Sequence, residues 1–296
     1  LARGLVLGLT LWSSGASTTA TANPTANTPL SIIDDRHRTI VLAHPPRRII
    51  TLLPSLSESL CVLEACDRLV ATDRYADWPE QIRRLPKVGG IDDTPIETVL
   101  ALHPDVVLAA RSSRAIGRLE ELGVKVIALE PTSLADMHRV LTTLAYLVGE
   151  PARGEARWRQ LESALSAAAD RIPPALRGQT VYFEVSDAPH AASISSFVGE
   201  VLARLGLNNI VPGRLGPFPQ INPEFVVRAQ PQLIMTSADA LDGMRSRPGW
   251  NQLTALKTHR TCGFEREPWN IMLRPGPRLG EASAFIANCL VRLSPQ

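Results

Sequence analysis

No block of basic residues interrupts this sequence, and its formal net charge is only +2. Nucleic acid is thereby set aside as a partner, because it needs a concentrated positive field. No apolar stretch reaches transmembrane length, which sets aside a membrane-embedded chain as well. H-E-x-x-H, G-x-S-x-G, the P-loop and G-x-G-x-x-G are all missing. The six histidines (His37, His44, His103, His138, His190, His259) are scattered, so a zinc or manganese receptor lacks its cluster of His and acids. No catalytic residue, resident metal or cofactor is expected. The four cysteines, Cys61, Cys66, Cys262 and Cys289, contain no C-x-x-C, which removes the common zinc and redox signatures.

What is present begins at the N-terminus. A short apolar run, "LARGLVLGLTLW", precedes a small, polar stretch in which Ala20-Thr21-Ala22 fits an A-x-A cleavage site. Residues 1–22 read as a secretory signal and 23–45 as a flexible leader. No Cys stands at the cleavage site, so no lipid anchor is expected. An exported compartment permits disulfides, and four cysteines allow three pairings. A Cys61–Cys66 bridge would require the helix carrying Cys61 to end between them.

From residue 46 to 132, β-branched runs and helical spacings alternate: "RRIITLLP", "SLSESLCVLEAC", "LVATDRYADWP", "DVVLAA", "RAIGRLEELG", "VKVIALEP". This alternation is the pattern of a parallel α/β sheet. Residues 133–172 then carry apolar positions three and four apart almost throughout, with only Gly149–Pro151 able to kink the helix. From 173 to 296 the alternation resumes. The fold class is therefore α/β: two Rossmann-like lobes joined by a long rigid helix, with a cleft between them.

One element occurs twice. "IETVLALHPDVVLA" begins at Ile96 and "PEFVVRAQPQLIMT" at Pro223. With Glu97 on Glu224, Val99 falls on Val226 and Pro104 on Pro231. Thr94-Pro95-Ile96-Glu97 reads as a capping box, and Asn222-Pro223-Glu224 as an Asn cap with Glu in the first turn. Two related lobes would also present the acids as a matched pair on one face, suited to a two-subunit partner offering basic residues.

The ordered run from strand–"PS"–helix through "DRYADWP" and "VGG" to "E-x-V-x-x-L-x-P-D-V-V" resembles the helical-backbone substrate-binding proteins of ABC importers. That group handles vitamin B12, ferric siderophores and haem. The resemblance extends through "PFPQINPEFVVRAQPQLIM" and "RPGPRLGEA", and is strongest to the cobalamin-binding members. It implies a periplasmic, monomeric receptor with little hinge motion, holding cobalamin or a related corrinoid, or a ferric siderophore, between its lobes. It also implies that Glu97 and Glu224 meet arginines of a transmembrane permease dimer. Candidate ligand residues are Ser55, Tyr75, Trp78, Ile91, Asp92, Phe218, Trp269 and Arg274. Tyr75 matches a position that packs on the corrin ring. Ile91 and Phe218 stand where the cobalamin members carry Trp, which weakens the match to cobalamin more than the match to the fold. The Tyr or His that would mark a haem receptor near "VGG" is replaced by Gly90-Ile91.

Overall fold

The computed structural model describes residues 29–187 and 189–294; the expected signal at 1–22 lies outside the described residues. The N-lobe strings together β3 (Ile49–Thr51), α1 (Pro54–Val62), β4 (Leu69–Thr72), α2 (Glu80–Arg83), α3 (Ile96–Ala101), β5 (Val106–Ala109), α4 (Ala115–Glu121) and β6 (Val126–Ala128). These strands form a parallel sheet in the order β4-β3-β5-β6. Every residue of β3, β5 and β6 is buried, as a sheet covered on both faces requires. Alternation then sorts the strands between two cores. Ile49, Val106 and Ile127 face one core, and Ile50, Val107 and Val126 face the other.

The segment expected to be a flexible leader is in part folded. β1 (Leu30–Ile33) and β2 (Thr39–Leu42) pair antiparallel, with Leu30, Ile32, Ile40 and Leu42 turned into the N-lobe core. The Asp34 carboxylate accepts from the amide of Ala128, and Asp35 from that of Glu130, fastening the hairpin to the end of β6. An alternation four residues long on either side of a polar turn was too short to stand out in the sequence.

The expected single linking helix is two helices, α5 (Leu134–Leu147) and α6 (Pro151–Asp170), packed on each other. Gly149 takes the left-handed conformation (φ 82°), and Pro151 starts the second helix where its missing N–H costs nothing. The pair serves both lobes. Leu134 and Met137 of α5 belong to the C-lobe core, Val140, Leu141 and Leu144 to the N-lobe core. Gly154 allows the two helices to touch, since a Cβ there would lie 2.7 Å from that of Ala145.

The C-lobe continues with β7 (Thr180–Ser186), β8 (His190–Ala191), α7 (Phe197–Arg204), β9 (Asn208–Asn209), α8 (Pro223–Ala229), β10 (Leu233–Ser237), α9 (Ala238–Met244), α10 (Thr254–Lys257), β11 (Thr261–Phe264), α11 (Arg266–Met272) and α12 (Leu279–Arg292). Its parallel strands run β9-β7-β10-β11, with β8 antiparallel to the end of β7. Numbered within each lobe, this is the same order as in the N-lobe: second, first, third, fourth. The repeated sequence element is the third strand of each lobe with the helix before it.

Two disulfides settle the pairing left open by the sequence: Cys61–Cys66 and Cys262–Cys289. Helix α1 does end, at Val62, between the first two cysteines. The second bridge ties the last helix to β11.

Candidate functional site

The loop after β4 is shaped by a buried acid. Asp73, 1% exposed, accepts the Tyr75 amide on Oδ1 at 2.8 Å, an Asx-type turn that throws the Tyr75 ring outward. Tyr75 is 63% exposed. The Arg74 amide donates to the Gly89 carbonyl at 2.7 Å, the Gly90 amide to Asp93 Oδ1 at 2.9 Å, and the Arg74 guanidinium pairs with Asp93. These bonds knit the 73–78 loop to the "VGG" turn. Between them lies a pocket of about 400 Å³ with Leu52, Leu53 and Pro54 in its lining, walled by Tyr75 and Ile91 and rimmed by Asp92. Asp92 is turned toward Arg114, 3.1 Å away. Three of the expected ligand residues, Tyr75, Ile91 and Asp92, thus come together.

Asp73 lies in the wall of the same pocket. Its Oδ2 has no hydrogen-bond partner among the described residues, and burial pushes its carboxyl up to about 6 against the attraction of Lys87 and Arg274.

On the other side of the loop the two lobes meet. Arg274, from the turn between α11 and α12, donates to Glu58 Oε1 at 2.8 Å, Asp77 Oδ1 at 2.6 Å and the Tyr75 carbonyl at 2.9 Å. Burial opposes the charge on Arg274, but these bonds outweigh it and raise the guanidinium above its ordinary value. Burial lifts Glu58, and Arg274 only partly offsets this; for Asp77 the bond to Arg274 overcomes burial and holds the carboxyl low. The Arg278 guanidinium sits 4.8 Å from the centre of the Trp78 ring, a cation–π contact. Around these groups is an interlobe pocket of about 290 Å³ whose lining includes Trp78, Arg83, Arg266, Asn270, Arg274 and Arg278.

The remaining expected ligand residues are placed elsewhere. Ser55 is buried with its Cβ against Gly276, and the Oγ of Ser57 is 2.6 Å from Thr51 Oγ1 inside the lobe; α1 has no side-chain cap. Phe218 meets Phe197 edge-on at 5.6 Å, and Trp269 stacks on Phe183 at 5.3 Å, so both rings pack on the C-lobe core. Aromatic residues in loops satisfy a ligand face and a core equally well in sequence. Arg274 is taken up by its acids. The residues missed were Glu58, Asp73 and Asp77; an acid inside "SLSESLC" was the available signal, since a charge on a buried helix face needs a partner.

Glu97 and Glu224 are both exposed, each in the first turn of its helix. Neither carboxylate has a partner among the described residues. Behind them the lobes match closely: Val99 and Val226 are fully buried, and His103 and Gln230 both take left-handed conformations (φ 43° and 44°) just before the paired prolines. The caps differ. The Asn222 side chain accepts the Glu224 amide at 2.9 Å, as expected. The capping box expected of Thr94 does not form: Pro95 holds the cap position and Thr94 Oγ1 donates instead to the Gly90 carbonyl at 2.6 Å. With the helix beginning at Ile96, Thr94 lies one residue too early to cap it.

The family model described as "Periplasmic binding protein" matches residues 49–263, from the first strand of the N-lobe sheet into the last strand of the C-lobe. The chain belongs to the periplasmic binding protein family. It is therefore a substrate-binding receptor of the ABC-importer class, binding its ligand without transforming it, and its place is the periplasm. No helix among the described residues is long and apolar enough to cross a membrane. The vitamin B12-binding protein of Vibrio vulnificus strain YJ016 is 29% identical over 246 residues, covering 80% of this chain and 87% of that protein. The crystal structure of the periplasmic vitamin B12-binding protein of Vibrio cholerae aligns with a TM-score of 0.70 at 25% identity, covering 84% of this chain and 99% of that one. The periplasmic heme-binding protein of Roseiflexus sp. RS-1, in apo form, gives a TM-score of 0.70 at 23% identity over 83% of this chain and 98% of its own; it shares the fold.

Proposed function

We propose that this receptor carries cobalamin or a related corrinoid to an ABC importer. The observation that carries the reading is the Tyr75 pocket: an exposed aromatic ring beside Ile91, with Leu52, Leu53 and Pro54 also lining it and polar groups at the rim. A large flat ligand needs an apolar face for its ring and a few polar groups at its edge. The similarity to vitamin B12-binding relatives supports the same ligand. Glu97 and Glu224, unpartnered and at equivalent positions of the two lobes, are the docking acids for the two subunits of the permease.

Calorimetric titration of the mature protein with cyanocobalamin tests the ligand. Saturable one-to-one binding at micromolar affinity or tighter, weakened in Tyr75→Ala, is expected. Folded protein giving no heat at several temperatures would sink cobalamin. A ferric siderophore is the second reading, favoured by one observation: four arginines, Arg83, Arg266, Arg274 and Arg278, line the interlobe pocket against two acids, Asp77 and Glu267. An anionic ferric chelate in the same titration distinguishes the two.

A further inference from the structure

Arg274 belongs to the C-lobe, yet every hydrogen bond its guanidinium makes among the described residues is to the N-lobe. Its acceptors are Glu58 on α1, and Asp77 and the Tyr75 carbonyl on the 73–78 loop. Its side chain is 12% exposed and that of Glu58 1%. The following turn closes on the same helix: a Cβ at Gly276 would lie 3.3 Å from that of Ser55 and 3.5 Å from Glu58 Oε2. The guanidinium fork suits this task, because three acceptors in different directions need several rigidly spaced N–H groups. A lysine's three N–H groups radiate from a single atom and do not reproduce the spacing of the fork.

We propose that Arg274 is a positioning residue: from the opposite lobe, it fixes the loop that builds the Tyr75 pocket. Tyr75 is held twice, its amide by Asp73 and its carbonyl by Arg274. The ring is therefore aimed by one residue of each lobe, and separation of the lobes at this edge releases the loop. Separation also strands Glu58 in a buried position, which opposes it. The clamp itself does not depend on the ligand; its bearing on cargo binding rests on the function proposed above.

Hydrogen–deuterium exchange on the full mature chain tests the clamp without any ligand. In R274A/E58Q the second change removes the carboxylate that R274A alone would leave buried and unpaired. The expected result is a folded protein in which the Arg74, Tyr75 and Ala76 amides exchange at least about tenfold faster, with β5 and β10 unchanged; loss of charged hydrogen bonds supports that size. R274K, which keeps the charge, is expected to quicken the same amides to a lesser degree. Unchanged exchange at 74–76 in folded R274A/E58Q overturns the proposal. Should the double variant not fold, unchanged exchange at those amides in R274K overturns it instead. Cyanocobalamin is the probe for cargo: affinity should fall about tenfold in R274A/E58Q, although Arg274 does not line the Tyr75 pocket. If the wild type does not bind cyanocobalamin, the ligand reading fails while exchange still decides the clamp.

Discussion

The two lobes share a strand order and a helix–strand element, but one buried acid in each, Asp73 and Glu184, is finished differently. In the N-lobe, Asp73 keeps one carboxylate oxygen without a partner among the described residues and lies in a pocket wall. In the C-lobe, Glu184 is as deeply buried but is gripped by Arg247 through two bonds of 2.7 and 2.8 Å and receives the Tyr182 hydroxyl at 3.1 Å. The aromatic rings divide in the same way. Tyr75 stands exposed in the N-lobe with only the Arg74 guanidinium over its ring, 5.9 Å from the centre, among the described residues, whereas Phe218 and Trp269 pack on their own core. A duplicated scaffold keeps what backbone geometry demands and lets loop chemistry diverge. What sets Asp73 apart is its place in a pocket wall, and buried, perturbed acids in pockets are where function concentrates.

The largest effect is expected where the lobes remain alike. Charge reversal of both proposed docking acids, E97K/E224K, should reduce transport by about a hundredfold or more while leaving ligand affinity unchanged, because like charges at two places would repel the permease. Uptake assayed beside calorimetry checks this. Transport that survives the double change would show that the matched acids do not dock.

The disulfides should separate the lobes next. Cys262–Cys289 spans 27 residues and Cys61–Cys66 only 5. On loop-closure entropy, the paired Ser variants should cost about 3–4 kcal/mol in the C-lobe and about 2 kcal/mol in the N-lobe. Denaturant unfolding measures both, and a larger loss from the short N-lobe loop would break the entropic ranking.

Asp73 should give the N-lobe a pH dependence of its own. Asp73 is raised to about 6 in the fold by burial, so between pH 4 and 6 the folded protein holds a proton that the unfolded chain has released. Stability from this group is therefore lost as pH rises through that window, by on the order of 2–3 kcal/mol. D73N should lack the loss, so its stability relative to wild type should climb from pH 4 to 6 and then level off. A constant difference across that range would rule the assignment out. Lys87 and Arg274 are the cations facing Asp73, and both remain charged throughout.

The smallest effect should fall at the shared turn. His103 and Gln230 share the left-handed conformation, so H103G should stabilise by about 0.5–1 kcal/mol, read as a midpoint shift in denaturant. Q230G should gain less, because it also removes the bonds from Gln230 to the Val227 carbonyl and from the Thr254 amide; a gain as large as that of H103G would show that those bonds contribute nothing.

Much of this was legible in the residues. "DVVLAA" contains the fully buried β5, and "SSFVGEVLARLG" contains α7 with Ser196 as its cap at 3.0 Å. The repeat around Glu97 and Glu224 revealed the duplication. The pocket was legible in part, since Tyr75, Ile91 and Asp92 all lie in the connection between β4 and α3. Arg274 was expected at the ligand, but its bonds to Glu58 and Asp77 were not legible, because those acids stand some 200 positions earlier in the chain and no local pattern links them. Thr94 shows the opposite limit: a correct motif one residue out of register makes a different bond.

By itself, the sequence determined the alternation of strands and helices, the paired elements and the acids at their heads. These depend on neighbours three to seven residues apart, where periodicity and turn chemistry act directly. Tertiary structure alone decided which aromatic rings face a pocket and which fill a core, how the cysteines pair, and that an arginine of one lobe holds the loop of the other. Those outcomes depend on burial and on partners distant in the chain, and burial becomes definite only when the lobes have packed.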